Sequence, residues 1–109
     1  MIKNKSKQTV LAKTFSHKSG FGKIKGLMLK SIPEALIFET RFGIHTFLLK
    51  FSIDLIILDK NNKIVFLKED IKPNSIVFWN PKYKTVLELT NGSINKSQTK
   101  LGDSLEYKL

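Results

Sequence analysis

The chain has 109 residues, enough for one domain around one core and too few for two. It contains no cysteine and only two histidines, His17 and His45, which excludes disulfides, thiolate-held zinc, iron–sulfur clusters, thiol catalysis and histidine-rich metal sites. The formal net charge is +10; residues 1–33 carry eight basic and no acidic residues, and the remaining 76 carry eleven basic and nine acidic.

Along the chain, the lysine-dotted residues 1–8 read as a basic, frayed N-terminus, followed by a single β domain over 9–109. Residues 8–15 alternate as a strand, until Ser19, Gly20 and Gly22 break it. Within 20–29, Ile24, Leu27 and Met28 have the spacing of one short helix. Residues 35–40 form a strand ended by Gly43. Residues 45–58 then give fourteen positions of nearly unbroken β character, with Phe47, Leu49, Phe51, Ile53, Leu55 and Ile57 on one face. As one straight strand this run would span roughly 45 Å, more than the diameter of about 35 Å expected for a domain of this size. It must therefore bend or switch sheets, near residues 50–52 where polar side chains fall. Residues 59–63, DKNNK, read as a hairpin turn, because asparagine tolerates positive φ. Residues 64–67 return as the partner strand, so 45–66 is the central hairpin. Further strands are expected at 75–79, 84–89 and 104–108, with Asn91-Gly92 as a turn or helix start. Six to eight short strands and one minor helix imply a mostly-β fold, a small sandwich or a closed barrel.

The order of these pieces resembles the domain-of-unknown-function 192 family over roughly residues 10–107. Gly26-Leu27-Met28 matches an early element of that family, and His45-Thr46-Phe47, Lys50, Ile53-Asp54 and Asp59 match its centre. Pro73, Val86-Leu87-Glu88-Leu89, Gly92 and Gly102-Asp103 match its later elements. Leu48-Leu49, Ser52 and Asn61-Asn62 depart from its usual pattern. The resemblance implies a jelly-roll-like sandwich with a short helix, and no established activity.

His45, Lys50 and Asp54 form the cluster that could bind a ligand at the strand bend, either as a polar site or as a structural ion pair beside a hydrogen-bonded histidine. Glu88, in mid-strand, is expected to face solvent or pair with a lysine across the sheet. Gly102-Asp103 reads as a turn whose aspartate accepts backbone N–H bonds, and Trp79 as a core-edge residue. Gly20, Gly22, Lys23 and Lys25 lack the spacing of a phosphate loop.

The leading expectation is a small-molecule or partner-binding module with its site at the bend. The alternative is nucleic-acid or polyanion binding through the basic N-terminal third. Against it stands the ratio of eighteen lysines to one arginine, Arg41, because specific readers use the planar arginine fork. A hydrolase or lyase ranks last, since two histidines and no cysteine assemble no nucleophile, base and orienting group. No cofactor is expected. With no apolar run of membrane-spanning length and no signal-peptide core, the expectation is a cytoplasmic protein without a membrane partner.

Overall fold

The computed structural model describes residues 1–17, 35–47 and 49–108. Its described elements, in chain order, are β1 (Ile2–Asn4), β2 (Thr9–Ala12), β3 (Ser16–His17), β4 (Ala35–Glu39), β5 (Ile44–His45), β6 (Ile53–Leu58), β7 (Ile64–Ile71), β8 (Ile76–Val77), β9 (Thr85–Thr90), α1 (Ser93–Lys96) and β10 (Leu105–Glu106). They form a five-stranded sheet β3-β4-β9-β6-β7, a three-stranded sheet β10-β1-β2 and a two-stranded ribbon β5-β8. Only β3 and β4 pair in parallel among the described residues; neighbouring strands are otherwise antiparallel. The short helix expected within 20–29 falls outside the described residues.

The run 45–58 breaks as its length requires. A single straight strand over these residues would exceed the molecule's greatest extent of 33 Å. Instead β5 pairs with β8 in the ribbon, the backbone bends at Lys50 and Phe51, and β6 starts afresh between β7 and β9. All six residues of β6 are buried, because this strand has sheet neighbours on both edges and apolar layers on both faces. On one face, Ile56 and Leu58 join Ile37, Leu87 and Leu89 against Ile2 and Leu11 of the three-stranded sheet. On the other, Ile53, Leu55 and Ile57 join Phe38 and Val86 against Leu49, Val77 and Trp79 of the bend and ribbon. The architecture is thus a layered β sandwich, with the central sheet between the three-stranded sheet and the ribbon, and none of the described sheets closes into a barrel.

The turn 59–63 forms as read. Asp59 Oδ1 accepts the N–H groups of Asn61 (2.8 Å) and Lys63 (2.9 Å), and Asn62 takes the positive φ of 63°. The frayed N-terminus is a correction: β1 is the middle strand of its sheet, with Ile2 and Asn4 buried and Lys3 turned outward. Its register is held from the far end of the chain. Asn4 Nδ2 donates to Thr99 Oγ1 at 2.9 Å and Asp103 Oδ2 at 3.0 Å, and Lys7 Nζ pairs with the same carboxylate at 2.8 Å. Asp103 also accepts the Lys100 N–H at 2.9 Å, as expected for the 102–103 turn.

One buried carboxylate ties the central sheet to α1 and to the end of β7. Asp54 has no solvent exposure. Its Oδ1 accepts the Asp70 N–H at 3.0 Å, and its Oδ2 accepts those of Gly92 (3.2 Å) and Ile94 (2.9 Å). Asp70 stands at φ 53°, where β7 departs from regular register with β6. Gly92 caps the helix in a left-handed conformation and supplies no side chain. Asp54 therefore satisfies N–H groups that α1 and the β7 irregularity would otherwise bury without partners. Substituting Asp54→Ala should destabilise the fold by about 3 kcal/mol, lowering Tm by roughly 15 °C, whereas Lys50→Ala should change stability by no more than about 0.5 kcal/mol. Thermal and urea denaturation of the two variants measure the contrast, and an Asp54→Ala protein as stable as the parent would remove the anchor role.

Candidate functional site

The three residues singled out at the bend part company. Asp54 is sealed inside, its carboxylate committed to backbone donors. Lys50 is exposed on the bend and makes no ion pair with Asp54; the ion pairs among the described residues are Lys7–Asp103, Lys72–Asp70 and Lys84–Glu39. His45 is exposed at the end of β5, where its ring stacks on Phe47 with centroids 4.8 Å apart and its Nδ1 accepts the Phe47 N–H at 3.3 Å. His45 and Lys50 thus belong to an outward surface, and Asp54 to the interior.

That surface is built by a tightly specified ribbon. In β5 and β8, Ile44 lies opposite Val77 and His45 opposite Ile76. Buried Thr46 pins the bend to the 72–75 loop: its hydroxyl donates to the Lys72 carbonyl (2.7 Å) and accepts the Ser75 N–H (2.8 Å), while its own N–H donates to the Ser75 carbonyl (2.9 Å). Gly43 lets the strands close. It has φ 93°, and a Cβ there would stand 2.5 Å from the Val77 carbonyl oxygen and 2.8 Å from the Phe78 ring. Trp79 is a core-edge residue, its indole N–H donating to the Tyr83 carbonyl at 2.8 Å. Arg41 spans from the start of the ribbon to its end, donating to the carbonyls of Pro81 (2.8 Å) and Lys82 (3.1 Å).

With Val77 and Trp79 turned inward, strand alternation turns their neighbours out. Phe42 is 75% exposed, Phe78 71%, Ile76 55% and Phe47 42%. The two segments that carry them, 40–53 and 71–84, contain five basic residues and no acidic one. All nine acidic residues of the chain lie elsewhere. The result is an aromatic surface whose own two segments carry cations and no acid, with Asp70 and Glu39 paired to Lys72 and Lys84 at its margin.

Sequence reasoning also misplaced Glu88. It is turned away from solvent: it sits on β9 between Leu36 and Leu55 of the flanking strands, 5% exposed, and among the described residues it meets no lysine and forms no hydrogen bond or ion pair. Its side chain shares a face with Val86, which packs in the layer beneath the ribbon. Burial pushes its carboxyl up from the ordinary value of 4.5 to about 7. Between those values the folded protein keeps a proton that the unfolded chain has released, so stability falls as pH rises from 4.5 to about 7 and then levels off. The loss amounts to about 3 kcal/mol between the two plateaus. Glu88→Gln should abolish this slope and make the protein more stable than the parent at pH 8. Urea denaturation at pH 5 and pH 8 tests this, and parallel pH profiles for the two proteins would show that Glu88 does not hold the extra proton.

Comparison with known proteins agrees with this architecture. A UPF0127 protein of Thermococcus sibiricus is 32% identical over 124 aligned positions, covering 100% of this chain and 75% of that protein. Two crystal structures share the fold. One, from Sinorhizobium meliloti, is a protein whose assignment as a transcription regulator is provisional; it superimposes with a TM-score of 0.70 at 18% identity, over 84% of this chain and 79% of that one. The other, a protein of unknown function from Novosphingobium aromaticivorans, gives 0.72 at 17% identity, over 84% and 74%. The sequence profile of the DUF192 family, described as an uncharacterized ACR, matches residues 3–107, and the chain belongs to that family.

Proposed function

We propose that this protein is a binding module whose recognition surface is the outward face of the β5–β8 ribbon and the adjoining bend. The observation that carries this reading is the coincidence of exposed phenylalanines with the absence of any acidic residue from 40–53 and 71–84. A contiguous apolar surface is costly to leave in water and marks a site of interaction when it is rimmed by polar groups. Here the charged groups of the two segments are all cationic. A second copy of the chain would oppose like charges across such a contact, which favours an anionic partner with flat apolar groups. The proposed surface takes in His45 and Lys50 of the expected cluster and leaves Asp54 in the interior, and its chemistry is aromatic and cationic.

A second reading keeps the basic N-terminal hairpin as an anion-binding surface. It draws support from a 510 Å³ groove lined by Lys3, Asn4, Lys5, Gln8, Thr9 and Val10, none of them acidic. Lys7 is withdrawn from that role by its ion pair with Asp103.

Anilinonaphthalene sulfonate, an anionic aromatic dye, separates the two. The folded parent should bind it, and Phe42→Ala with Phe78→Ala should weaken binding about tenfold, because the lost aromatic area stabilises the complex by roughly 1–2 kcal/mol. Lys3→Glu with Lys5→Glu should leave the affinity within twofold. Dye binding that responds to the lysine pair and not to the phenylalanine pair would transfer the site to the hairpin.

A further inference from the structure

Resting on the reading of the ribbon as a binding surface, we infer that its occupant is a single-stranded nucleic acid, bound without sequence selection by base stacking on Phe42 and Phe78 and by phosphate contacts to Arg41, Lys50 and Lys82.

Charge complementarity selects an anionic partner, and the shape of the apolar groups selects its kind. Of the five large apolar side chains exposed among the described residues of 40–53 and 71–84, four are phenylalanines: Phe42, Phe47, Phe51 and Phe78. Phenyl rings offer a stacking face to any base, and each stacked base strengthens binding about tenfold or more. Phe47 already stacks on His45, which leaves Phe42 and Phe78 as the most open rings. The Phe78 ring lies against Gly43, the residue after Phe42 in the chain.

The cations are interleaved with these rings. Arg41 precedes Phe42 and is held against the Lys82 carbonyl, which places the two cationic residues side by side at the end of the ribbon. Lys50 lies between Phe47 and Phe51 on the bend, without an ion-pair partner among the described residues. Lys72 and Lys84 are less available, since they pair with Asp70 and Glu39 at 2.9 and 3.9 Å.

A duplex fits this surface poorly. Its base faces are covered by stacking on neighbouring base pairs, and its edges are read chiefly by arginine forks. The one arginine of this chain already donates to two backbone carbonyls. The surface can stack bases and neutralise phosphates, but it has no second fork to discriminate one base from another.

Fluorescence anisotropy with labelled twelve-nucleotide oligothymidine tests the inference, with the duplex of the same length, heparin and anilinonaphthalene sulfonate as comparisons. The single strand should bind at least tenfold more tightly than the duplex. With three phosphates neutralised, the slope of log affinity against log salt should be about −2. Phe42→Ala with Phe78→Ala should weaken single-strand binding tenfold or more and leave the slope and heparin binding unchanged. Lys50→Gln with Lys82→Gln should reduce the slope to about −0.7. Circular dichroism and Tm confirm that each variant is folded, as expected for substitutions at exposed positions. Equal affinity for duplex or heparin, or a phenylalanine variant that binds oligothymidine like the parent, would overturn the inference. Dye binding without oligonucleotide binding would overturn it while leaving the surface as a binding site, and an acidic phenylalanine-rich peptide that displaces the dye would then assign the surface to a protein partner. A parent protein that binds neither dye nor oligonucleotide would remove the surface itself.

Discussion

Six consecutive residues, Ile53 to Leu58, lie in a strand with no solvent on either face. A strand buried on both sides needs apolar layers above and below and paired neighbours at both edges, and most of the molecule can be understood as supplying them. The N-terminal hairpin and the C-terminal strand cover one face through Ile2, Leu11 and Leu105. The ribbon and bend cover the other through Leu49, Val77 and Trp79. Because β6 is confined to the middle, the chain that leads into it has to leave the sheet. The ribbon exists because of that departure, and its outward face is left to water.

The same central sheet carries two buried carboxyls on opposite faces, and they are treated differently. Asp54 receives three backbone N–H groups, so its charge is compensated without a cation and the site holds β7 and α1 in place. Glu88 receives none from the described residues, and burial alone raises its proton affinity. A carboxyl of that kind costs stability once it ionises, and the sheet tolerates it beneath the ribbon. Asp54 is therefore explained by the fold, while Glu88 finds no compensating donor among the described residues.

Charge is distributed with comparable asymmetry. The N-terminal third holds eight lysines and no acid, yet one of them, Lys7, is engaged in holding the hairpin to Asp103. The ribbon has fewer cations, but it places them beside exposed rings, and its two segments exclude acids. A segment rich in lysine repels compaction and aids solubility; cations arranged around stacking faces can recognise something. The second arrangement is the more informative even though the first dominates the composition.

Several features were determined by the sequence itself because their causes are local. The length of 45–58 demanded a bend, alternation assigned Ile53, Leu55 and Ile57 to a common face, and Asn62 and Gly92 supplied positive φ where the turns needed it. The family resemblance was also legible, since it rests on short motifs in order along the chain. Other features were decided only by pairing between distant residues. Asn4 meets Thr99 and Asp103, 95 and 99 positions away, which turned an apparent tail into a central strand. Asp54 finds its donors at 70, 92 and 94, so spacing along the chain pointed to Lys50 while the three-dimensional partners were backbone groups. Glu88 looks solvent-facing by alternation, but β4 and β6 enclose it and the layer beneath the ribbon lies on its face. The absence of acids from 40–53 and 71–84 can be read directly from the residues. That the two stretches form one surface depends on β5 pairing with β8, a long-range contact whose register comes from Thr46 and Gly43 within the folded molecule.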